Sequence, residues 1–317
     1  MSHIYIYSPS SAVRDKAAFR RGVARLKALG HEVEIDEAAL SSYQRFAGDD
    51  DTRLAAIGRA AASAADVALI SRGGYGLTRI LGGLPYKPLT KAIERGTQFV
   101  GLSDFTAFQC ALYAKTGAVT WAGPALGEDF GAEAGPDDIM EACFDDLICG
   151  HGEGAGWRLP SSDVPALASL LKQEDNTMEE GVSELRVNKS TLWGGNLTVL
   201  CSLVGTPYLP TVKGGILFLE DVNEHPYRIE RQLTQLLHAG IVGQQKAVLL
   251  GSFNRYQPSP HDRGFKMQTV VNWLRSQTRT PVFTGLPFGH VPTKVLLPVG
   301  QSVELMVQGR DALLYWG

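Results

Sequence analysis

Cysteine is scarce in this chain, and long apolar runs are absent. The four cysteines include no Cys-x-x-Cys pair and fall mostly in apolar segments, which indicates reduced thiols rather than a disulfide framework or a thiolate metal site. The first residues, Met1 to Tyr7, alternate like a strand and lack the basic start and apolar stretch of a signal peptide. We therefore expect a cytoplasmic protein without a membrane segment.

Basic runs and metal-ligand spacings are also missing. Lys plus Arg total 30 against 33 for Asp plus Glu, and no basic stretch is interleaved with aromatics, so we expect no nucleic-acid partner. The seven histidines show no His-Glu-x-x-His or other ligand spacing, so we predict neither a metal nor any other cofactor. With 317 residues, 44% of them hydrophobic, the chain is long enough for two domains.

The first half of the chain alternates short apolar strands with helical stretches. Strands are predicted at residues 4–7, 31–35, 67–70, 99–100 and 119–121. Helical stretches between such strands are typical of a parallel sheet with helices on both faces. We therefore predict an α/β protein whose residues 1–150 form a flavodoxin-like N-terminal domain.

The composition changes after residue 150. Residues 151–188 are rich in Gly and Ser and then acidic, as expected of a linker or crossing segment. Residues 189–317 alternate strands and helices again, and strands follow one another near the end. This pattern predicts a smaller C-terminal α/β domain with a mixed sheet or partial barrel.

The junction Gly101-Leu102-Ser103-Asp104 joins an apolar strand to a run that reads as a helix. A serine at such a turn presents its hydroxyl above the sheet, and the next amide points from a helix N-terminus towards a developing oxyanion. Phe105 stands where Gly-x-Ser-x-Gly would need its second glycine, which disfavours an ordinary α/β-hydrolase. The alternative is that Ser103 only caps the following helix.

A glycine cluster, Arg72-Gly73-Gly74-Tyr75-Gly76, follows another predicted strand. Functional groups gather at the carboxyl ends of parallel strands, so this cluster and Ser103 are expected at the same edge. Gly73 and Gly74 could supply an oxyanion amide or cradle a phosphate, or could simply form a tight turn. Neither a phosphate-loop motif nor the third glycine of a dinucleotide fingerprint is present.

Two polar residues of the second half stand at strand or loop ends. Glu220 ends the apolar strand Ile216–Leu219, where a carboxylate can orient an imidazole. His290 emerges from a loop restrained by Pro287 and Gly289. Taken alone, Glu220 reads as a solvated strand end and His290 as a loop histidine with a backbone partner.

Five segments taken together resemble the LD-carboxypeptidases, the muramoyltetrapeptide carboxypeptidases. Their order and approximate spacing match that family over nearly the whole chain. The segments are Arg72-Gly73-Gly74-Tyr75-Gly76, Gly101-Leu102-Ser103-Asp104, Gly194-Gly195-Asn196-Leu197 with Gly205-Thr206-Pro207, Phe218-Leu219-Glu220-Asp221, and Gly285-Leu286-Pro287-Phe288-Gly289-His290.

This resemblance implies a serine peptidase with a Ser-Glu-His triad, here Ser103, Glu220 and His290. The amides of Asp104 and of Gly74 or Gly73 would bind the oxyanion. The implied substrate is a murein tetrapeptide, free or sugar-linked, from which the terminal D-alanine is cut at an L,D bond in peptidoglycan recycling. The resemblance also implies a homodimer.

A carboxypeptidase must bind the free carboxylate of its substrate, and a guanidinium does so through two parallel hydrogen bonds. The candidates are Arg72, beside the glycine cluster, and Arg228 or Arg231, which follow the Glu220 strand. The sequence does not choose among them.

Three alternatives are considered. A microcin-immunity-type peptidase would cleave a peptidyl-nucleotide amide, and a base-stacking aromatic would favour it, with Trp193 the nearest candidate. A non-enzymatic two-domain peptide- or sugar-binding protein would usually carry an export signal. A glutamine-amidotransferase-like enzyme would need cysteine at position 103, which is serine.

Overall fold

The computed structural model describes residues 1–165 and 184–317, which divide into two compact units. The first unit contains Met1–Gly152, Gly205–Pro210 and Pro292–Gly300. The second contains Glu153–Val204, of which 166–183 lie outside the described residues, together with Thr211–Val291 and Gln301–Gly317. Two segments that the sequence analysis assigned to the C-terminal domain, 205–210 and 292–300, thus belong to the first unit.

The elements of the described residues are given in chain order. The strands are β1 (His3–Tyr7), β2 (Glu32–Ile35), β3 (Val67–Ile70), β4 (Gln98–Gly101), β5 (Thr120–Ala122), β6 (Gly154–Arg158), β7 (Glu184–Asn196), β8 (Ile216–Val222), β9 (Ala247–Asn254), β10 (Val282–Thr284), β11 (Leu297–Val299), β12 (Ser302–Gln308) and β13 (Asp311–Tyr315). The helices are α1 (Lys16–Ala28), α2 (Asp50–Ala62), α3 (Tyr86–Glu94), α4 (Phe105–Thr116), α5 (Asp138–Cys149), α6 (Leu197–Ser202), α7 (Pro226–His238) and α8 (Met267–Gln277). None of these helices is both long and apolar enough to cross a bilayer.

The sheet of the first unit has the strand order β11-β5-β4-β3-β1-β2. Strands β1 to β5 run parallel in the order 2-1-3-4-5, which is that of flavodoxin-like folds. Strand β11 joins antiparallel to β5. The predicted flavodoxin-like parallel sheet is therefore confirmed, with one antiparallel strand added from the distant end of the chain.

The core of the first unit forms around β1, β3 and β4, which are buried on both faces, as parallel strands covered by helices are. Apolar side chains of β1, β3 and β4 pack against α1, α5 and a π-helical turn at Leu126–Phe130. Helix α4 is buried along eight consecutive residues, 105–112. The residue that leads into this helix, Ser103, therefore stands on a rigidly packed element.

The sheet of the second unit is mixed, with the order β10-β9-β8-β7-β12-β13-β6. Strands β7 to β10 pair in parallel, whereas β12, β13 and β6 pair antiparallel. The predicted mixed sheet is present. The predicted linker at 151–188 is wrong for the part of it that the structure describes, 151–165 and 184–188. Residues 154–158 form the edge strand β6 and residues 184–188 begin β7, because backbone pairing overrides their Gly-rich or polar composition. Residues 166–183 lie outside the described residues.

Candidate active site

Ser103 has a left-handed backbone conformation, with φ of 67°. This conformation is uncommon for a residue with a side chain and costs free energy, so it persists only where the surroundings impose it. Asp104, not Ser103, occupies the N-cap position of α4, with φ of −53°. Ser103 is therefore not the helix cap that the sequence left open, and its half-buried side chain belongs to a strained turn between β4 and α4.

Gly73 lies directly against Ser103. A Cβ added at Gly73 would be 2.6 Å from the Cβ of Ser103 and 3.0 Å from its Oγ. Real Cβ atoms do not approach this closely, so only glycine lets the loop after β3 reach the serine. The structure therefore brings together two features that the sequence placed at one sheet edge, the glycine cluster and Ser103.

The buried carboxylate of Asp104 connects the glycine cluster to this turn. It is 1% exposed and accepts hydrogen bonds from the Ser10 hydroxyl and from the Leu77 amide, the latter at 2.9 Å. Burial raises the pKa of Asp104, while these hydrogen bonds act in the opposite direction. Arg53, which is fully buried, donates to the Gly76 carbonyl at 2.8 Å. The end of the glycine loop is thus held from two sides.

The exposed part of the loop is held by Ser11. Its Oγ accepts from the Tyr75 amide at 3.0 Å, and a Cβ added at Gly74 would be 2.2 Å from the same oxygen. Gly74 itself has φ of 114°. Within the described residues, the amides of Gly73, Gly74 and Asp104 donate to no protein acceptor. These amides are those that the sequence analysis named as oxyanion donors.

Glu220 and His290 form a buried pair in the second unit. His290 Nδ1 is 2.8 Å from Glu220 Oε2, and the two residues are 8% and 0% exposed. The pairing of β8 with β9 shifts register between Leu219 and Asp221, which is the kind of irregularity that re-aims a side chain. A carboxylate on Nδ1 fixes the ring orientation and leaves Nε2 as the proton-accepting nitrogen.

The loop before His290 can approach Glu220 because residue 289 is glycine. Gly289 has φ of 132°, and a Cβ there would lie 3.2 Å from Glu220 Oε2 and 3.1 Å from the Cβ of Ser252. Asn254 Nδ2 donates to the His290 carbonyl at 3.0 Å. The histidine is therefore held through both its ring and its backbone.

Two neighbours of this pair were not assigned a role from the sequence. Asn196 Nδ2 donates to Glu220 Oε1 at 3.0 Å and to Asp221 Oδ1 at 3.2 Å. Asn196 belongs to a motif quoted for the family resemblance, and its contact follows from the β7–β8 register, in which it pairs with Glu220. Asp221 accepts from the Thr198 amide and hydroxyl, at 2.9 and 2.8 Å, and burial raises its pKa. The carboxylate that contacts the His290 ring is therefore that of Glu220, not that of Asp221.

The candidate cations for the substrate carboxylate differ in their surroundings. Arg72 Nη1 donates to the Ala12 carbonyl at 3.0 Å, in the first unit. The guanidinium groups of Arg228 and Arg231 lie over the ring of Tyr227, in the second unit, at 5.8 and 5.7 Å from its centroid. These two arginines already have an aromatic partner.

The aromatic and metal alternatives find no support in the described residues. Trp193 is 1% exposed, and its Nε1 donates to Gln245 Oε1 at 3.0 Å, so it is a core residue of β7 and does not stack on a base. Among residues 1–165 and 184–317, no group of three or more His, Cys, Asp or Glu side chains is placed to hold a metal ion.

Comparison with known proteins gives a consistent result over most of the chain. The LD-carboxypeptidase N-terminal domain model matches residues 4–123, and the C-terminal domain model matches residues 189–305. The murein tetrapeptide carboxypeptidase of Pseudomonas aeruginosa is 27% identical over 307 residues, which cover 95% of this chain and 92% of that protein.

Two solved structures extend the comparison. The muramoyltetrapeptide carboxypeptidase from Oxalobacter formigenes superposes with a TM-score of 0.82 at 36% identity, covering 99% of this chain and 98% of that one. The microcin C7 self immunity protein MccF, in complex with aspartyl sulfamoyl adenosine, has a TM-score of 0.81 at 22% identity, covering 99% and 96%. At that identity the second likeness concerns the fold alone.

Proposed function

The chain belongs to the LD-carboxypeptidase family of serine-type peptidases, and on this premise we propose that it releases the terminal D-alanine from murein tetrapeptides. The bond cut is an L,D bond, and meso-diaminopimelate precedes it. The murein peptide carboxypeptidases among its relatives support this substrate class. The proposed setting is peptidoglycan recycling in the cytoplasm, by a homodimer that takes free or sugar-linked peptides.

The observation that carries the proposal is the buried 2.8 Å contact between His290 Nδ1 and Glu220. In the proposed mechanism, His290 Nε2 takes the proton from Ser103 Oγ as the oxygen attacks the scissile carbonyl. Glu220 holds the imidazole in the required tautomer and stabilises the imidazolium. His290 then returns the proton to the amino group of the departing D-alanine, and water hydrolyses the acyl-enzyme in a second round.

The oxyanion of the tetrahedral intermediate is assigned to backbone amides of the first unit. The Asp104 amide stands at the start of α4, and the close approach of Gly73 to Ser103 supports Gly73 and Gly74 as the other donors. Each such donor contributes about 3 kcal/mol of transition-state stabilisation in comparable sites. The released residue also carries a free carboxylate, for which Arg72, Arg228 and Arg231 are the candidate cations.

The function is tested by incubating the protein with L-Ala-γ-D-Glu-meso-diaminopimelate-D-Ala and following free D-alanine by mass spectrometry. We expect release by the wild-type protein and none above background by Ser103→Ala, because only the attacking oxygen is removed. Substantial residual turnover in Ser103→Ala would contradict the serine mechanism. A peptidyl-nucleotide amide run in parallel separates this activity from that of a microcin-immunity peptidase, which would cleave the nucleotide conjugate in preference.

A further inference from the structure

The loop that carries the proposed oxyanion donors also carries a half-buried positive charge. Arg72 directly precedes Gly73, the residue in contact with Ser103. Arg72 Nη1 is held by the Ala12 carbonyl, whereas its Nη2 lies 3.7 Å from where a Cβ of Gly74 would be. One nitrogen of the guanidinium is therefore anchored, and the other lies beside Gly74.

A second arginine is held next to the same loop. The backbone carbonyl of Arg45 accepts from the Ala12 amide at 3.0 Å, so Arg45 and Arg72 contact the two sides of one residue. The guanidinium of Arg45 lies over the ring of Tyr75, 5.5 Å from its centroid, and Tyr75 is 45% exposed. The half-buried guanidinium of Arg72 and the exposed guanidinium of Arg45 thus lie at the same loop, the second of them over its aromatic ring.

These arginines have little negative charge to balance them. Among the ion pairs of the described residues, none involves Arg72, Arg45 or the nearby Arg14. Burial lowers the pKa of Arg72, and the positive charges of Arg14 and Arg45 lower it further. The carboxylate of Glu128 acts in the opposite direction. Unneutralised guanidinium groups in a partly desolvated position attract an anionic ligand.

The position of the Arg72 guanidinium beside Gly74 suits one particular anion. In a peptide cut at its last bond, the terminal carboxylate is separated from the reacting carbonyl carbon by three bonds, about 4 Å. A cation that binds it must therefore stand close to the oxyanion donors. Arg72 does so because its Nη2 lies 3.7 Å from where a Cβ of Gly74, one of the proposed oxyanion donors, would be.

We propose that Arg72 and Arg45 form the subsite that binds the free carboxylate of the released D-amino acid. This assignment rests on the proposed peptidase function and deepens it, because it explains why cleavage is confined to the last residue of the substrate. It also selects Arg72, whose guanidinium lies beside Gly74, over Arg231 and over Arg228, which is ion-paired with Glu224 at 3.6 Å.

The test compares two substrates that differ only in the terminal group, L-Ala-γ-D-Glu-meso-diaminopimelate-D-Ala and the same peptide ending in D-alaninamide. We expect wild-type kcat/KM to favour the free acid by about 100-fold. Arg72→Gln should lower kcat/KM for the acid by about 10- to 100-fold, mainly through KM, and change the amide less than about twofold. Arg45→Gln should show the same substrate dependence with a smaller effect.

Matched variants keep the test decisive. Arg20→Gln, an exposed arginine of α1 in the same unit, should leave both substrates unchanged. Arg72→Gln also loses the bond to Ala12, so a general loosening of the loop would slow both substrates equally. Arg45 makes no side-chain hydrogen bond to the described backbone, so Arg45→Gln tests the charge without that loss.

The outcomes separate this assignment from the proposed function. If the wild-type protein cleaves acid and amide peptides at equal rates, or if Arg228→Gln or Arg231→Gln abolishes the preference instead, the assignment to Arg72 and Arg45 is wrong and the peptidase function stands. If the wild-type protein releases neither D-alanine nor D-alaninamide, the proposed function itself is refuted. Equal losses on both substrates for Arg72→Gln and Arg45→Gln would also overturn the subsite.

Discussion

Replacement of Gly73 by alanine tests the contact between the glycine loop and Ser103. The φ of Gly73 lies outside the left-handed region, so an alanine fits the backbone there and the added methyl group is the whole perturbation. That methyl would lie 2.6 Å from the Cβ of Ser103 and 3.2 Å from the carbonyl oxygen of Leu102. Ordinary carbon–carbon contacts begin at about 3.5 Å, so Ser103 or the loop must move by about 1 Å.

The expected cost of this movement falls on the chemical step. A displacement of about 1 Å in an attacking group lowers the rate by about 100-fold, equivalent to about 2.7 kcal/mol of activation free energy. Overpacking also lowers the free energy of unfolding by about 1–3 kcal/mol. We expect Gly73→Ala to lose kcat on the tetrapeptide while KM changes little, because the methyl group faces the serine rather than the exposed side of the loop.

Gly58→Ala is the matched control. Gly58 lies in helix α2 with no heavy atom within 4 Å of an added Cβ, so alanine there should raise the free energy of unfolding by about 0.5–1 kcal/mol and leave kcat unchanged. Steady-state release of D-alanine and urea unfolding are measured on both variants. A Gly73→Ala protein with more than half of the wild-type kcat would refute the inferred contact between this loop and the nucleophile.

Three further results are expected. Hydrogen bonds from Arg59 and Tyr5 to Asp36 outweigh burial and lower the pKa of Asp36, so the stability it contributes is complete above about pH 5 and is lost as pH falls through the lowered pKa. Asp36→Asn should therefore lower the free energy of unfolding by about 2 kcal/mol near pH 7 and by little near pH 2, measured by urea unfolding at both pH values. Lys294→Met leaves the buried Asp129 carboxylate without its ammonium partner and should lower the free energy of unfolding by about 3 kcal/mol. The double variant Lys294→Met with Asp129→Asn should recover most of this loss. A double variant no more stable than the single one would contradict this. Preincubation with EDTA should leave D-alanine release unchanged, and inhibition that zinc reverses would contradict the metal-free mechanism.

Local sequence patterns predicted more of the fold than of the candidate site. Apolar strands alternating with helices were sufficient for the parallel sheet of the first unit, because burial on both faces leaves a clear signal in sequence. Strand β6 was missed because Gly154–Arg158 has little apolar character and is held by pairing with β13. Strand β11 was expected in the C-terminal domain, and nothing local to it indicates a partner as distant as β5.

The candidate site shows the same division between local and distant information. The turn at Ser103 was visible in the sequence, although its φ of 67° depends on the surroundings. The pairing of Glu220 with His290 joins residues 70 positions apart and was inferred only through the family resemblance. Asn196 and Arg45 were not assigned because their contacts arise from strand register and loop packing, which no short motif encodes.

The return of the chain to its first sheet has a consequence for how the molecule is made. Strand β11 covers the edge of β5, and Lys294, just before it, supplies the partner of buried Asp129. A fragment ending at Gly152 would therefore expose an unpaired strand edge and an unpaired buried carboxylate, and should aggregate when expressed alone. On the ribosome, the first unit cannot complete its sheet until residue 299 has emerged, so its earlier strands remain association-prone until that point.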